Sequence, residues 1–424
     1  MSKSISETLK SLGPAFIVAS VVLGPGSILS NSYVGAQFGY SMIWLLVLAS
    51  LMMILVTSLA AQIGLQSKVT PCQFITKVSF RGSGITLGII VFGITLCFQF
   101  TNNLAIMTAF DLLLARDEMS VLNSSSSDNA NGRGMLLMIV INLFLIISLY
   151  GSKKPYQMIE RAMLFLVITM ICGFALNFFL VTHDFWGIAK GILPNLAKDQ
   201  DGKHLIQLLG MVATTFSIAG AFYQCYAVRE RSWNANDWKK ARRDTMMGIG
   251  VLGGISLLIM LTGASVLSGT GVGKSLPEIS MMFNELLGPQ SMRFFCIGIL
   301  AAAFSSLFVN PLIGGTVLAD GLGKDCRVSG NWTKAATSAG MLLGMVVAIL
   351  GSMGKMETLP LILTAQAITV VGVPFIAWVM LKLIKEVNSG IPCSKLVGVA
   401  WLSLLVAIGL SVRTISTLFE RFAS

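Results

Sequence analysis

Charged side chains are scarce in this chain, and histidine and cysteine supply little material for a metal or redox centre. Charged residues make up 12% of the 424 residues, whereas soluble domains carry about 25%. Two histidines, His183 and His204, are too few for a transition-metal site built on imidazole. The seven cysteines are scattered without C-x-x-C spacing, so we interpret most of them as small apolar fillers in helices.

The constellations on which common enzymes depend are also missing. The sequence contains no Walker A run, and no serine has a histidine placed to activate it. We therefore expect no catalytic residue, no resident metal, no cofactor and no enzyme activity.

Apolar residues dominate the composition of the chain. They make up 54% of the chain, and the mean hydropathy is +0.79. Long apolar runs separated by short polar segments predict an all-α integral membrane protein. We predict eleven transmembrane helices, at Pro14–Phe38, Met42–Gly64, Gly84–Leu114, Met135–Tyr150, Gln157–Val181, Ile206–Val228, Thr245–Leu267, Arg293–Leu318, Thr337–Ser352, Leu359–Ile384 and Lys395–Ile415.

The net charge of +11 reflects membrane topology rather than nucleic-acid binding. With the N-terminus placed in the cytoplasm, most of the 30 Lys and Arg residues fall in cytoplasmic segments, and the densest cluster runs from Arg229 to Arg243. This is the positive-inside pattern. We expect a bacterial plasma (inner) membrane protein whose C-terminus lies outside. Its partners are the lipid bilayer and a small ionic solute, and its oligomeric state stays open.

The first span contains a helix-breaking sequence. From Leu12 to Tyr40 the chain reads LGPAFIVASVVLGPGSILSNSYVGAQFGY, with Gly24, Pro25, Gly26 and Ser27 in the middle of the apolar run. Proline between glycines leaves backbone N–H and C=O groups unpaired, which lipid does not tolerate. The break therefore predicts either a kinked structural helix or a substrate site of the kind that discontinuous helices form in secondary transporters.

A second interruption is predicted in the sixth span, at Ile218, Ala219, Gly220 and Ala221, because small residues permit unwinding. The two interruptions occupy corresponding positions in two halves of five spans. We therefore predict one transmembrane domain over 1–424, with inverted repeats at 12–181 and 204–386 and an eleventh helix at 395–416. This pattern favours a substrate site.

Other residues of the interrupted spans and their neighbours are candidates for the pathway. The eighth span carries Ser306 and Asn310 at positions where they can lie beside it. Amides in the third span can either line a pathway or bridge helices. We predict as pathway-lining Asn31, Asn102, Asn103, Tyr223, Gln224, Gln366 and Gly372.

The stretch GPGSILSNSYVGAQFGYSMIWLLVLASLM resembles the first two helices of the NRAMP divalent-metal transporters. The family signature is Asp-Pro-Gly-Asn followed by a closely similar GAQFGY run. IAGAFYQCYAVRER is similar to the Met-Pro-His-Asn-Leu-Tyr segment of the family, with Tyr223 at the tyrosine position. The resemblance covers nearly the whole chain. It implies a LeuT-like inverted-repeat fold with broken first and sixth helices and a central site between them.

The residues that would bind metal in the family are replaced here. The family aspartate falls on Gly24 and its asparagine on Ser27, while its methionine and histidine fall on Ile218 and Gly220. The proline between methionine and histidine becomes Ala219, and the asparagine after histidine becomes Ala221. An acidic pair thought to conduct protons falls on Asn102 and Ala105, and a tenth-span glutamine on Gly372. The resemblance therefore implies the scaffold of the family but not its metal site.

These replacements favour an anion over a dication. A dry dication needs carboxylate or comparable ligands, which the replaced residues lack. The N-terminal end of a half-helix instead offers free N–H groups and about half a positive charge. We predict a secondary transporter of a small anion such as bicarbonate, with chloride or a zwitterion fitting nearly as well. The alternatives are a Mg- or Mn-type divalent cation transporter, and a non-transporting sensor or partner subunit, which the lack of an appended soluble domain disfavours.

Overall fold

The computed structural model describes residues 18, 23–114, 131–151, 168, 172–194, 205–271, 273, 275–354, 358–387 and 394–423. The first half of the first predicted span and much of the fifth lie outside these residues, as does His204. Every regular element in the described ranges is helical.

Residues 172–180 are helical. The thirteen helices of eight or more residues whose two ends both lie within the described residues are labelled here in chain order. They are α1 (Pro25–Phe38), α2 (Ile43–Gln66), α3 (Pro71–Val78), α4 (Ser83–Leu114), α5 (Asn131–Tyr150), α6 (Leu205–Thr215), α7 (Ile218–Glu230), α8 (Trp238–Leu267), α9 (Ser291–Gly321), α10 (Asn331–Ser352), α11 (Thr358–Ile368), α12 (Val373–Glu386) and α13 (Ser394–Ala423). Shorter helices are Phe185–Gly191, Leu276–Ser280 and Asn284–Leu287, and 3₁₀ turns lie at Gly39–Met42, Ala235–Asp237, Met281–Phe283, Gly288–Gln290 and Thr369–Gly372.

The helices agree with the predicted spans wherever both can be compared. Within the described residues, nine helical segments are long and apolar enough to cross a membrane, and the first of them, Pro25–Gln66, joins parts of the first two predicted spans. Helices α5, α10 and α13 expose side chains such as Ile147, Leu350 and Leu405. Apolar side chains on the outer surface of such a bundle contact the lipid tails.

The tenth span changes helix type near its middle, which the sequence analysis did not predict. Helices α11 and α12 are joined by a 3₁₀ turn, Thr369–Gly372, and Pro374 lies in the first turn of α12. Proline lacks an N–H donor and its ring clashes with the carbonyl four residues before it, so the regular α-helical ladder ends here.

Long helices α4 and α9 form the most extensive helix pair in the described chain. Helix α1 packs mainly on α8, and α7 packs on α2. The two helices that begin at the interrupted spans, α1 and α7, are thus held by neighbours along their lengths. The starts of both helices lie beside α4 and α9.

A buried polar cluster joins α3, α7 and α9 away from the breaks. We call it the Asp320 cluster (Thr70, Cys72, Tyr226 and Asp320). The Asp320 carboxylate accepts hydrogen bonds from the Thr70 hydroxyl, the Cys72 backbone N–H (3.0 Å) and the Tyr226 hydroxyl (2.7 Å). The carboxylate thereby caps the N-terminus of α3, where negative charge is stabilised. Burial, and then the neighbouring carboxylate, raise the pKa of the Cys72 thiol well above its usual range.

Candidate functional site

The first break lies at Leu23 and Gly24, immediately before α1 begins at Pro25. Gly24 is extended (φ −82°, ψ 176°), and its carbonyl accepts hydrogen bonds from the N–H groups of Ser27 (3.0 Å) and Ile28 (3.3 Å). Pro25 suits the first helical position because no intrahelical partner exists there for its missing N–H. The prediction of a break is confirmed, but Pro25, Gly26 and Ser27 form the first helical turn rather than unwound chain.

Helices α4, α9 and α11 supply polar side chains to this break. A Cβ atom placed on Gly24 would lie 2.9 Å from Ser306 Oγ and 3.5 Å from Asn102 Oδ1. A Cβ atom on Gly26 would lie 2.0 Å from Gln366 Nε2 and 2.7 Å from Gln366 Cδ. A side chain at either position would displace Ser306 or Gln366. With glycine at both, a serine hydroxyl and two carboxamides border the start of α1.

The network around Gln366 determines how its carboxamide is oriented. Gln366 Nε2 donates to Thr101 Oγ1 at 3.0 Å, while the Thr101 hydroxyl donates to the Phe98 carbonyl at 2.9 Å. Since the single hydroxyl proton of Thr101 is used, Thr101 can only accept from Gln366. Gln366 Oε1 is left buried without a hydrogen-bond partner among the described residues.

Ser27 and Asn31 form a pair one turn apart on α1. Asn31 Nδ2 donates to the Ser27 carbonyl at 2.7 Å and to Ser27 Oγ at 3.2 Å. Because Ser27 Oγ accepts this bond, its own proton is available for donation. Asn31 is thus a residue that orients Ser27, and both side chains are buried.

The second break lies two residues earlier than predicted. Helix α6 ends at Thr215 and α7 begins at Ile218, so Phe216 and Ser217 separate the half-helices. Ser217 caps α7: its carbonyl accepts from Ala221 N–H at 2.8 Å, and its hydroxyl accepts from Gly220 N–H at 3.4 Å. The predicted interruption at Ile218–Ala221 was therefore misplaced. Those residues continue a helix readily once a serine caps it.

Two cavities flank the second break. One is lined by Ser217, Ala219 and Gly220 together with Thr95 and Phe98 of α4, Thr214 of α6, and Asn310 and Ile313 of α9. The other is mainly apolar. Its lining includes Phe216 and Ile218 at the break and Thr369 of the 3₁₀ turn.

Helix α9 connects the two breaks. Ser306 faces Gly24, whereas Asn310, one turn later, lines the cavity beside Gly220. Asn310 Nδ2 donates to Ser306 Oγ at 2.7 Å, which ties the two positions together. Phe98 and Asn102 on α4 repeat the pattern, since Phe98 lines the cavity and Asn102 faces Gly24. Both breaks therefore lie against the same pair of helices.

Some predicted pathway residues face elsewhere. Asn103 bridges helices: it accepts from Asn142 Nδ2 of α5 at 2.6 Å and donates to the Gln99 carbonyl at 2.9 Å. The space beside Gly372 is occupied by the side chains of Ile90 and Ile94. Gln366 therefore presents the carboxamide of the tenth span at the first break.

Two further predicted residues lie deeper along α7. Tyr223 is buried, and its ring centroid lies 6.3 Å from that of Tyr226. Gln224 is fully buried, and neither amide atom has a hydrogen-bond partner among the described residues. Along α7 they lie between the second break and Tyr226, which belongs to the Asp320 cluster.

Ser217 and Thr101 matter to the site but were not predicted. Ser217 could have been found, because serine directly before a helical run is a preferred N-cap residue. Thr101 carries no comparable signal, since its role depends on Gln366, which is 265 residues away in the chain.

The electrostatics of the site come from backbone dipoles rather than from side-chain charge. The first turns of α1 and α7 contain no acidic residue. The described residues include no group of three His, Cys, Asp or Glu side chains that could hold a metal ion. The N-terminal ends of both half-helices therefore carry uncompensated partial positive charge at a buried, polar and uncharged site.

The family model and the related sequences agree on one protein family. The family model described as natural resistance-associated macrophage protein-like (Nramp) matches residues 15–418. The divalent metal cation transporter MntH of Mycobacterium tuberculosis (strain ATCC 25618 / H37Rv) is 23% identical over 384 residues, covering 88% of this chain and 82% of the relative. MntH of Bacillus subtilis (strain 168) is 22% identical over 319 residues, covering 72% of this chain and 70% of the relative.

Solved structures agree on the fold. The Eremococcus coleocola manganese transporter, bound to an aromatic bis-isothiourea substituted compound, gives a TM-score of 0.75 at 16% identity, covering all (100%) of this chain and 90% of that one. MhsT in complex with L-phenylalanine gives a TM-score of 0.57 at 16% identity, covering 94% of this chain and 98% of that one. The predicted LeuT-like architecture is confirmed.

Proposed function

Because the chain belongs to the Nramp family of membrane transporters, we propose that it carries a small anion such as bicarbonate across the membrane. The observation that supports this proposal is the environment of Gly24. Gly24 occupies the position of the family's metal-binding aspartate but has no side chain. Its neighbours are the uncharged Ser306 and Asn102.

The start of α1 presents donors to whatever occupies the site. The first N–H groups of a helix lack intrahelical acceptors and attract negative charge. The Ser27 proton is available because Asn31 Nδ2 occupies the oxygen of that hydroxyl. An anion with several acceptor oxygens suits such a site, and no carboxylate in the first turn of α1 or α7 repels it.

Replacing Gly24 tests the sign of the charge that the site accepts. Gly24→Asp places a carboxylate beside the start of α1, where it repels an anionic substrate. Two unit charges about 4 Å apart at an effective dielectric of about 20 repel by roughly 4 kcal/mol, on the order of a thousandfold in affinity. We expect bicarbonate uptake into proteoliposomes, followed with a pH-sensitive dye, to be abolished.

Gly24→Ala is the matched control, because it adds the same Cβ atom without charge. That atom would lie 2.9 Å from Ser306 Oγ, so the serine must shift in both variants. We expect the alanine variant to retain part of the uptake. A monodisperse Gly24→Asp protein that carries bicarbonate as well as Gly24→Ala does would contradict the proposal.

Divalent cation transport is the second candidate, because the relatives reported above are named as divalent metal or manganese transporters. In this chain the first break offers a cation only neutral oxygen ligands, among them Ser27 Oγ and Gln366 Oε1. Replacing the water of a dication without a carboxylate is costly. We expect neither saturable uptake nor calorimetric binding of Mn²⁺ or Mg²⁺ at micromolar concentration, and either one would favour this candidate.

The proposal extends to orientation. The distribution of Lys and Arg residues supports a cytoplasmic N-terminus in a bacterial plasma membrane. With this orientation, α7 leads from the second break toward the cytoplasm, where the dense basic segment from Arg229 to Arg243 begins.

A further inference from the structure

Asn102 is a buried amide that faces the first break directly. Its side chain is 2% exposed, and its Oδ1 atom lies 3.5 Å from the position of a Cβ atom on Gly24. The residues on either side of it are committed to other helices. Thr101 accepts from Gln366 of α11, and Asn103 accepts from Asn142 of α5. Asn102 is thus the residue of this polar run that α4 presents to Gly24.

The amide nitrogen of Asn102 has no hydrogen-bond partner among the described residues. Leaving a buried donor unpaired is unfavourable, and buried polar groups in native proteins are almost always satisfied. The neighbouring helices do not satisfy this donor, although they satisfy the carboxamide nitrogens of Asn103 and Gln366. No hydrogen bond to another described residue fixes which end of the Asn102 carboxamide faces Gly24, so a half-turn of the group exchanges Oδ1 for Nδ2 at the break. An acceptor bound at the break would then pair the unsatisfied donor.

The chemistry around Asn102 indicates which kind of group binds. The N-terminus of α1 begins next to Gly24, and the Ser27 hydroxyl has its proton available for donation. A helix N-terminus and a hydroxyl donor both favour an acceptor with negative charge. An amide N–H donates to such an acceptor without adding charge. The site can therefore hold a monovalent anion without a bound counter-ion.

We propose that Asn102 is a specificity-determining residue whose Nδ2 donates a hydrogen bond to the transported anion. The inference rests on the proposed function, since it assigns a donor within the same site. The neutrality of Asn102 is then what lets the site bind an anion, and a carboxylate at this position reverses that selectivity.

Two substitutions separate the lost donor from added charge. Asn102→Leu removes the donor, and we expect the KM for bicarbonate uptake to rise about tenfold to a hundredfold, the usual effect of losing a hydrogen bond to a charged group. Asn102→Asp also places negative charge beside Gly24, and we expect a larger loss, on the order of a thousandfold. Asn103→Asp is the matched control, because it buries the same charge on the face that pairs with Asn142.

Bicarbonate-induced thermal stabilisation of the detergent-solubilised full chain gives a second readout that does not depend on turnover. We expect stabilisation of the wild type, weaker stabilisation of Asn102→Leu and none of Asn102→Asp. If the wild type carries bicarbonate but Asn102→Leu keeps the same KM and the same stabilisation, Asn102 does not bind the anion and the inference is overturned.

A failure of the proposed function gives a different result. In that case the wild type itself neither carries bicarbonate nor is stabilised by it, and the inference falls with the proposed function. Should Asn102→Asp fail to fold, Asn102→Leu still decides the question through its KM and its stabilisation. An equal loss of uptake in Asn102→Asp and Asn103→Asp, with Asn102→Leu unchanged, would also overturn the inference, because the effect would then be a general cost of buried charge.

Discussion

Two buried polar clusters in this protein differ in whether their hydrogen-bond donors and acceptors have partners. In the Asp320 cluster, one carboxylate accepts from two hydroxyl groups and a backbone N–H. At the first break, Asn102 Nδ2 and Gln366 Oε1 have no partner among the described residues. Burial is similar in the two places, so the difference lies in saturation. The saturated cluster holds three helices together, and we propose that bound substrate completes the hydrogen bonds of the unsaturated one.

The two clusters also differ in charge. The Asp320 cluster holds a charged group at the N-terminus of α3 and supplies it with donors from α3 and α7. The first break holds no charged side chain in the first turn of α1, although a helix N-terminus is present there too. The carboxylate of Asp320 caps one helix N-terminus, and we propose that substrate binds at the other. Substitutions in the two clusters should therefore separate effects on stability from effects on transport.

The largest stability effect is expected for Asp320→Ala. This change removes the acceptor of three hydrogen bonds and leaves the buried Tyr226 hydroxyl with only the Cys72 sulfur, 3.4 Å away, as a weak partner. Because hydrogen bonds to charged groups contribute about 1.5–3 kcal/mol each and do not add fully, we expect a loss on the order of 3–5 kcal/mol. The thermal unfolding midpoint, followed by fluorescence-detected size-exclusion chromatography, measures it.

Asp325→Ala is the matched control for that prediction. Asp325 lies five residues further along and pairs with Arg327 at 2.8 Å on the exposed surface, where the guanidinium lowers the pKa of the carboxyl. Exposed ion pairs contribute little to stability, so the midpoint should not move. If Asp320→Ala behaved like Asp325→Ala, the contrast between the two polar clusters would be lost.

A smaller effect is expected for Tyr226→Phe. The substitution keeps the ring and its packing but removes the 2.7 Å hydrogen bond to Asp320. The loss should be about 1.5–3 kcal/mol, the contribution of one hydrogen bond to a charged group. The same unfolding assay checks this value. An unchanged midpoint would mean that the Thr70 hydroxyl and the Cys72 N–H suffice to hold the carboxylate.

The smallest stability effect is expected for Gln366→Leu at the first break. Thr101 keeps its hydrogen bond to the Phe98 carbonyl, and the unpaired Gln366 Oε1 disappears. Since no buried polar group is newly orphaned, we expect the free energy of unfolding to change by less than about 1 kcal/mol. Uptake of bicarbonate should nevertheless fall, because the carboxamide against Gly26 is gone. A destabilisation as large as that of Tyr226→Phe would show that Gln366 is structural.

The first break could be read from the sequence because its cause is local. Pro25 has no N–H and begins a helix well, so Gly24-Pro25 marks a helix start wherever the chain folds. The second break was misplaced by two residues. The small residues Ala219, Gly220 and Ala221 predict unwinding there, whereas the side chain and carbonyl of Ser217 cap the new helix. Serine is a preferred N-cap residue, so the same stretch of sequence also carries the signal for the observed helix start.

The polar residues of the third span show where local reading stops. Asn102 and Asn103 are adjacent asparagines, and the sequence predicts that both line the pathway. Successive residues of an α-helix point about 100° apart, so one faces Gly24 and the other bridges to Asn142 of α5. In the tenth span, likewise, Gln366 rather than Gly372 lies at the first break. Which face of a helix meets which neighbour is decided by packing.

By itself, the sequence determined the membrane class, the Nramp relationship, the break before Pro25 and the absence of a carboxylate at Gly24. These properties depend on covalent structure and on composition along the chain, which no tertiary contact alters. Helix packing places Asn102, Ser306 and Gln366 at the start of α1 and brings the Asp320 carboxylate to the N-terminus of α3. The reason is physical: these residues are distant in the chain, and their donors and acceptors become partners, or stay unpaired, only after the helices have packed.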